Sequence, residues 1–141
     1  MIKLVVGADD LEDFYQLQQM SVFDYHGTLA NACNTRFKPK QADDILATGG
    51  SLYRVIKNRI VCRQKIIGFE AIETPDKGSQ CAIIVENPII QTIVKPKRPF
   101  QGWRYFKPAD APKDRGIYLG GGEREEIPPE MEEELKEAGL L

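Results

Sequence analysis

Between Lys95 and Pro112 the chain reads KPKRPFQGWRYFKPADAP, a run that interleaves cations with Phe100, Trp103, Tyr105 and Phe106. If Gln101 to Lys107 is extended, alternation sets Trp103 and Tyr105 on one face and Arg104 and Phe106 on the other. Aromatic faces beside Lys97, Arg98 or Lys107 would give a base something to stack on and a phosphate something to pair with. Single-stranded nucleic acid is usually held by that combination. Gln101 adds an amide that both donates to and accepts from a base edge, and Gly102 lets a ligand come close to the backbone. Arg59 and Arg63, on the strand predicted just upstream, would extend the same surface. The competing reading places Trp103, Phe100 and Phe106 in the core and lets Gln101 close its own turn, since a sole tryptophan in a small domain is usually mostly buried.

A second constellation points to a different chemistry. Arg36, Tyr53 and Arg63, with Lys57 and an acid such as Glu70, would suit a small-molecule enzyme, although no nucleophile motif flanks them. A third class, a protein-interaction module, is compatible with the acidic C-terminal segment. His26 is the sole histidine, and Cys33, Cys62 and Cys81 are widely spaced. That set forms no H-x-x-x-H or C-x-x-C pattern, so neither a metal centre nor a cofactor is expected. No glycine-rich phosphate loop occurs either, because the GGG at 120 to 122 precedes acids instead of a lysine-bearing helix start.

The 141 residues and 42% hydrophobic content suit a single domain with its own core. No run approaches the roughly 18 apolar residues of a membrane span, so a cytoplasmic protein without a membrane partner is expected. A net charge of -2 hides a division along the chain. Residues 1–34 carry -4, residues 35–107 carry +8 and residues 108–141 carry -6. A central basic block within an acidic chain is what a local anion-binding face looks like, since a field depends on where charges sit. Solvated strand edges protected by lysine give the same composition.

The elements that must position these residues follow from pattern. IKLVVG reads as a strand ended by Gly7. Asp9 or Asp10 then caps a helix whose buried face is Leu11, Phe14, Leu17 and Met20, with Tyr15 beside them, through about Phe23. Gly27 to Phe37 reads as a loop. Pro39 opens a short helix with Ala42, Ile45 and Leu46, stopped by Gly49-Gly50. Strands are predicted at 51–57, 59–73, 81–86 and 89–95, with a turn near Lys57-Asn58-Arg59 and a bend or bulge at Gly68. Prolines at 96, 99, 108 and 112 confine any further strand to 101–107. GIYLGGGE reads as a turn or linker, so that 1–118 form the core, 119–127 a linker and 128–139 a closing helix with Met131, Leu135 and Ala138 on one face. The fold class expected is α+β, with four or five largely antiparallel strands, helices before them and one after.

Five blocks in order, IKLVVGADDLEDF, NTRFKPK, GGSLYRVIKNRIVCRQKIIGFE, KRPFQGWRYFKPADAP and PPEMEEELKEAGLL, make the chain resemble the bacterial family catalogued as domain of unknown function 1489 over nearly its whole length. It differs from that family's pattern at Arg54, where tryptophan is usual, and at Asn58, where glycine is usual. The order of elements is also similar to PUA-like pseudobarrels of the ASCH and EVE groups. That likeness implies an RNA-binding or modified-nucleotide-binding module, and the basic and aromatic pattern of the chain supplies the candidate ligand surface, Arg36, Tyr53, Arg63, Arg98, Gln101, Trp103, Arg104, Tyr105 and Lys107.

Overall fold

The computed structural model describes residues 1–121. Its elements are β1 (Ile2–Leu4), α1 (Leu11–Met20), β2 (Phe23–Tyr25), β3 (Thr28–Thr35), α2 (Ala42–Ala47), β4 (Ser51–Ile56), β5 (Arg59–Thr74), β6 (Gly78–Glu86), β7 (Ile89–Pro96), β8 (Trp103–Arg104), one 3-10 turn at Pro108–Asp110, and β9 (Asp114–Tyr118). The chain is thus a sheet-dominated α+β protein. The expected helix at 128–139 and most of the expected linker lie outside the described residues. No helix among the described residues is long and apolar enough to cross a membrane.

The 16-residue strand β5 organises the rest. Its second half pairs with β6 from Thr74↔Gly78 to Ile66↔Val85, and its first half pairs with β7 from Arg63↔Ile90 to Arg59↔Pro96. β6 and β7 therefore form one return path along the whole of β5, interrupted at Asn87-Pro88, where proline cannot donate to a ladder. Three wings grow from this ribbon. β4 pairs the other edge of β5 and passes the sheet on to β1 in parallel, then to β8. β3 and then β2 extend from β6, and β9 lies along β7.

The predicted strands β4 to β7 are observed with nearly the expected bounds. The register shift between Ile66 and Gly68 is the irregularity expected at Gly68. A Cβ there would lie 2.4 Å from the Tyr25 hydroxyl, so glycine is what lets that ring cross the strand. Lys57 and Asn58 both hold positive φ, 49° and 62°, as a two-residue hairpin turn with right-handed strand twist demands. Asp10 caps α1 by accepting the Asp13 N–H at 2.8 Å. α2 ends as predicted, with the Gly49 and Gly50 N–H groups donating to the Leu46 and Ile45 carbonyls and Gly49 at φ 70°.

Other expectations need correction. Residues 28–35 are a strand, not a loop: TLANACNT is short of large apolar side chains and is held by pairing to β6 from Ala30 to Thr35 and to β2 at its start. α1 stops at Met20, and Phe23 belongs to β2. Of the helix face expected to be buried, Phe14 is buried, while Leu17 is 41% and Met20 83% exposed. Gly116 to Tyr118, read as turn, lie in β9, whose Tyr118 ring is buried against Tyr15 and donates to Glu12. Within 101–107 only Trp103 and Arg104 join the sheet.

The interruption at Asn87-Pro88 is closed from the side by one buried amide. Gln64, fully buried, turns its Nε2 toward three acceptors that share its two protons, the carbonyls of Glu86 and Asn87 at 3.0 and 3.3 Å and Gln18 Oε1 at 3.0 Å, while its own Oε1 is buried without a partner. Asn87 Nδ2 donates in turn to Asn31 Oδ1, and Asn31 Nδ2 to the Gln18 carbonyl. The network joins β5, the kink, β3 and the end of α1 through side-chain amides and backbone carbonyls. Replacing Gln64 by leucine removes the side-chain donor from the carbonyls of half-buried Glu86 and Asn87. Urea denaturation is expected to show a loss of about 2–4 kcal/mol, against under about 1 kcal/mol for the exposed Lys65→Leu control.

Candidate functional site

Tyr53 and Ser51 lie two apart on β4 and so share a face, and Arg63 stands directly opposite Tyr53 on β5. These three residues floor a cavity of about 490 Å³. The end of α2 supplies one wall through Ile45, Thr48 and Gly49-Gly50, and the segment after β8 supplies the other through Tyr105, Phe106 and Pro108. Gly50 is a packing requirement here, because a Cβ on it would meet Ile45 Cγ2 at 2.9 Å, whereas Gly49 is required by its φ of 70°.

Arg63 is the fixed point of the site. Its Nε and Nη2 donate to the two carboxylate oxygens of Asp114 at 2.8 and 2.6 Å, and Nη1 donates to Ser51 Oγ at 2.8 Å. A planar fork engaged on all three nitrogens is held in one orientation. It also bolts β9 to β5 across the intervening β7. The hydrogen bonds from Arg63 hold the Asp114 carboxyl below its ordinary value, and Asp114 holds the guanidinium above its own. Burial raises the Tyr53 phenol, against the opposing pull of Arg63, so it is a neutral hydroxyl at physiological pH. The Met1 amine, which donates to the Ser51 carbonyl at 2.9 Å, is pushed down to about 6 by burial.

The aromatic residues divide by role. Phe106 packs edge-on against Tyr53 at 5.1 Å and joins Phe100 over the core residues Ile2, Val55 and Ile60. Trp103 is half-buried against a cluster containing Met1 and Leu52, and meets Tyr105 edge-on at 4.8 Å. Tyr105 is 45% exposed on the cavity wall, its hydroxyl accepting from the Gln41 N–H at 3.2 Å. Trp103 and Tyr105 thus touch, as alternation predicts, with Trp103 serving as the support and Tyr105 as the open surface.

The remaining predicted residues are spread more widely. Arg104 is exposed, its guanidinium 5.7 Å from the Phe100 ring and its Nη1 donating to the carbonyls of Gln101 and Trp103. Gln101, Arg98 and Lys107 are exposed around the same segment. Arg36 is not brought to Tyr53 and Arg63. It stacks over Phe37 at 5.3 Å beside a separate depression of about 240 Å³ that includes Lys38, Gln80 and Cys81. Pattern reading missed Ser51, Gly49-Gly50 and Phe106 as lining residues, and Asp114 altogether. Asp114 carried no signal of its own, since its pairing with Arg63 depends on β9 lying beside β7.

No histidine or thiol lines the cavity. Among the described residues no group of three histidines, cysteines or carboxylates is placed to hold a metal. The arrangement offers ring faces, fixed polar edges and nearby cations, which are the means of holding a planar polar ligand.

Fold and site together define a sheet-dominated α+β domain with an aromatic-walled cavity beside a basic segment. The chain belongs to the family described as protein of unknown function (DUF1489), whose pattern matches residues 1–141. Searches of curated proteins and of solved structures returned no match.

The ion pair at the site has a pH signature. A carboxyl whose folded pKa is depressed contributes stability that is present above its unfolded value, roughly 4, and is lost as pH falls through the folded value. Asp114→Asn is therefore expected to cost up to about 1 kcal/mol at pH 7, a modest figure because solvent reaches the carboxylate. The gap between variant and parent should close as pH drops below about 4. Urea midpoints measured at stepped pH check this, and a constant gap across the range would exclude the pair as its source.

Proposed function

We propose that this protein is a binding module for single-stranded RNA or a nucleotide, and that the 490 Å³ cavity takes a base. The observation that carries the reading is the union, in one short segment, of a cavity-wall ring with flanking exposed cations: Tyr105 lies between Arg104 and Lys107. Tyr105 offers a face for stacking, with the Tyr53 and Phe106 rings behind it. Ser51, the Tyr53 hydroxyl and the edges of Arg63 are fixed polar groups against which a base edge can be read. Arg104 and Lys107, with Arg98 and Lys97 nearby, supply phosphate contacts outside the cavity. In this reading the wings that share β5 curl into a PUA-like pseudobarrel, and the protein works in the cytoplasm.

The cavity's polar groups favour binding over catalysis. Arg63 and Asp114 neutralise one another, and the Asp114 carboxyl is held in its charged form, so it is a weak base at pH 7. Arg36, the third member of the enzyme constellation, lines a different depression.

Fluorescence anisotropy with a mixed pool of labelled short single-stranded RNAs at low salt tests the reading. The expected result is saturable binding whose affinity falls steeply with added salt. Tyr105→Ala should weaken it by about 1–3 kcal/mol, the usual worth of one base stack. Arg104→Ala with Lys107→Ala should reduce the salt slope by roughly 1–2. Absence of binding at low salt, both to the pool and to mononucleotides, overturns it.

A further inference from the structure

On the other side of β4 from Tyr53 lies a second cavity, of about 640 Å³, between α1 and the β1 end of the sheet. Its lining includes Arg54, Lys3 and Lys77 and no aspartate or glutamate. Arg54 is 6% exposed. Its guanidinium stacks over Phe14 at 5.2 Å and donates from Nη2 to the Leu4 carbonyl at 3.1 Å, while Nε is buried without a partner. No carboxylate among the described residues pairs with it. A buried guanidinium is ordinarily neutralised by an anion, because a charge removed from water is costly when left uncompensated.

The walls around this cation have the opposite character. Leu17 and Met20 project from α1, and Val6, 88% exposed, from the loop after β1. They turn apolar surface outward at the mouth of a cavity whose floor is a cation. Exposed apolar surface grouped in this way marks a binding surface more often than scattered single residues do. The ligand matching both halves is slender, with an anionic head that reaches the Arg54 fork and an aliphatic tail that covers Val6, Leu17 and Met20. A flat anionic surface would meet Lys3 and Lys77 at the rim but could not reach a side chain buried at this depth.

We propose that this cavity is a binding site for a single-chain aliphatic carboxylate, separate from the base cavity and independent of that reading. The carboxylate accepts from Arg54, the Lys3 and Lys77 ammonium groups add attraction at the rim, and the chain lies along α1.

The test is titration of the full chain with decanoate below its micelle-forming concentration, followed by calorimetry and by amide chemical shifts. Saturable binding is expected, with shifts centred on residues 3–6 and 14–21. Arg54→Met, which keeps the stem and removes the charge, should weaken it at least about tenfold, as loss of a charge-assisted hydrogen bond requires. Decanol, with the same tail and no charge, should bind at least about tenfold more weakly than decanoate. The proposal is overturned if Arg54→Met binds decanoate as well as the parent, if decanol or decyltrimethylammonium binds as tightly, or if anionic vesicles bind while decanoate does not. Should Arg54→Met fail to fold, Lys3→Glu with Lys77→Glu decides, because both residues lie at the rim: weakened decanoate binding supports the site, and unchanged affinity overturns it.

Discussion

One strand has to serve two stretches of sheet, and the polar groups exposed where its partner changes must be satisfied inside the protein. β5 pairs first with β7 and then with β6, and Glu86 and Asn87, where one ladder gives way to the other, are paired to neither half of β5. Gln64 answers them from the strand itself, and the amides of Asn87 and Asn31 carry the same network out to β3 and α1. A buried network of this kind gains little net energy from each bond. Its effect lies in tying four elements to one another through Gln64 Nε2 and the Asn31 and Asn87 amides, so that a shift of any one of them breaks several bonds together.

The two cavities are consequences of that arrangement. With β5 fixed, Tyr53 and Arg63 face one side of the β4 ladder and Arg54 the other. On the first side Asp114 and Ser51 bind every nitrogen of Arg63, so its guanidinium is a rigid part of the lining instead of a phosphate contact. On the second side Arg54 has one backbone carbonyl and one ring and is left electrostatically open. The contrast lies in the partners supplied by distant elements, since the two arginines sit on neighbouring, paired strands.

Much of this could be read from the chain, for identifiable reasons. β4 to β7 announce themselves through β-branched residues, and Gly49-Gly50, Lys57-Asn58 and Gly68 mark breaks whose backbone chemistry is local. β3 was illegible because Ala30, Asn31 and Thr35 are buried by partners 46 to 56 positions away in sequence, not by a hydrophobic pattern of their own. β9 was illegible for the same reason. In the site, alternation correctly set Trp103 against Tyr105, yet it did not reveal that Trp103 is the support and Tyr105 the open face. The grouping of Arg36 with Tyr53 and Arg63 failed because charge and residue type carry no information about which face of which sheet a residue joins.

In the proposed function, the cavity between α2 and the segment after β8 receives a base. The most direct measurement is an amide chemical-shift map of the full chain titrated with an equimolar mixture of nucleoside monophosphates and short single-stranded RNAs at low salt. Saturable shifts are expected, concentrated at Thr48 to Tyr53 and Trp103 to Pro108, with the α1 groove unmoved. No saturable shifts, or shifts confined to the surface around Arg36 and Phe37, would contradict it.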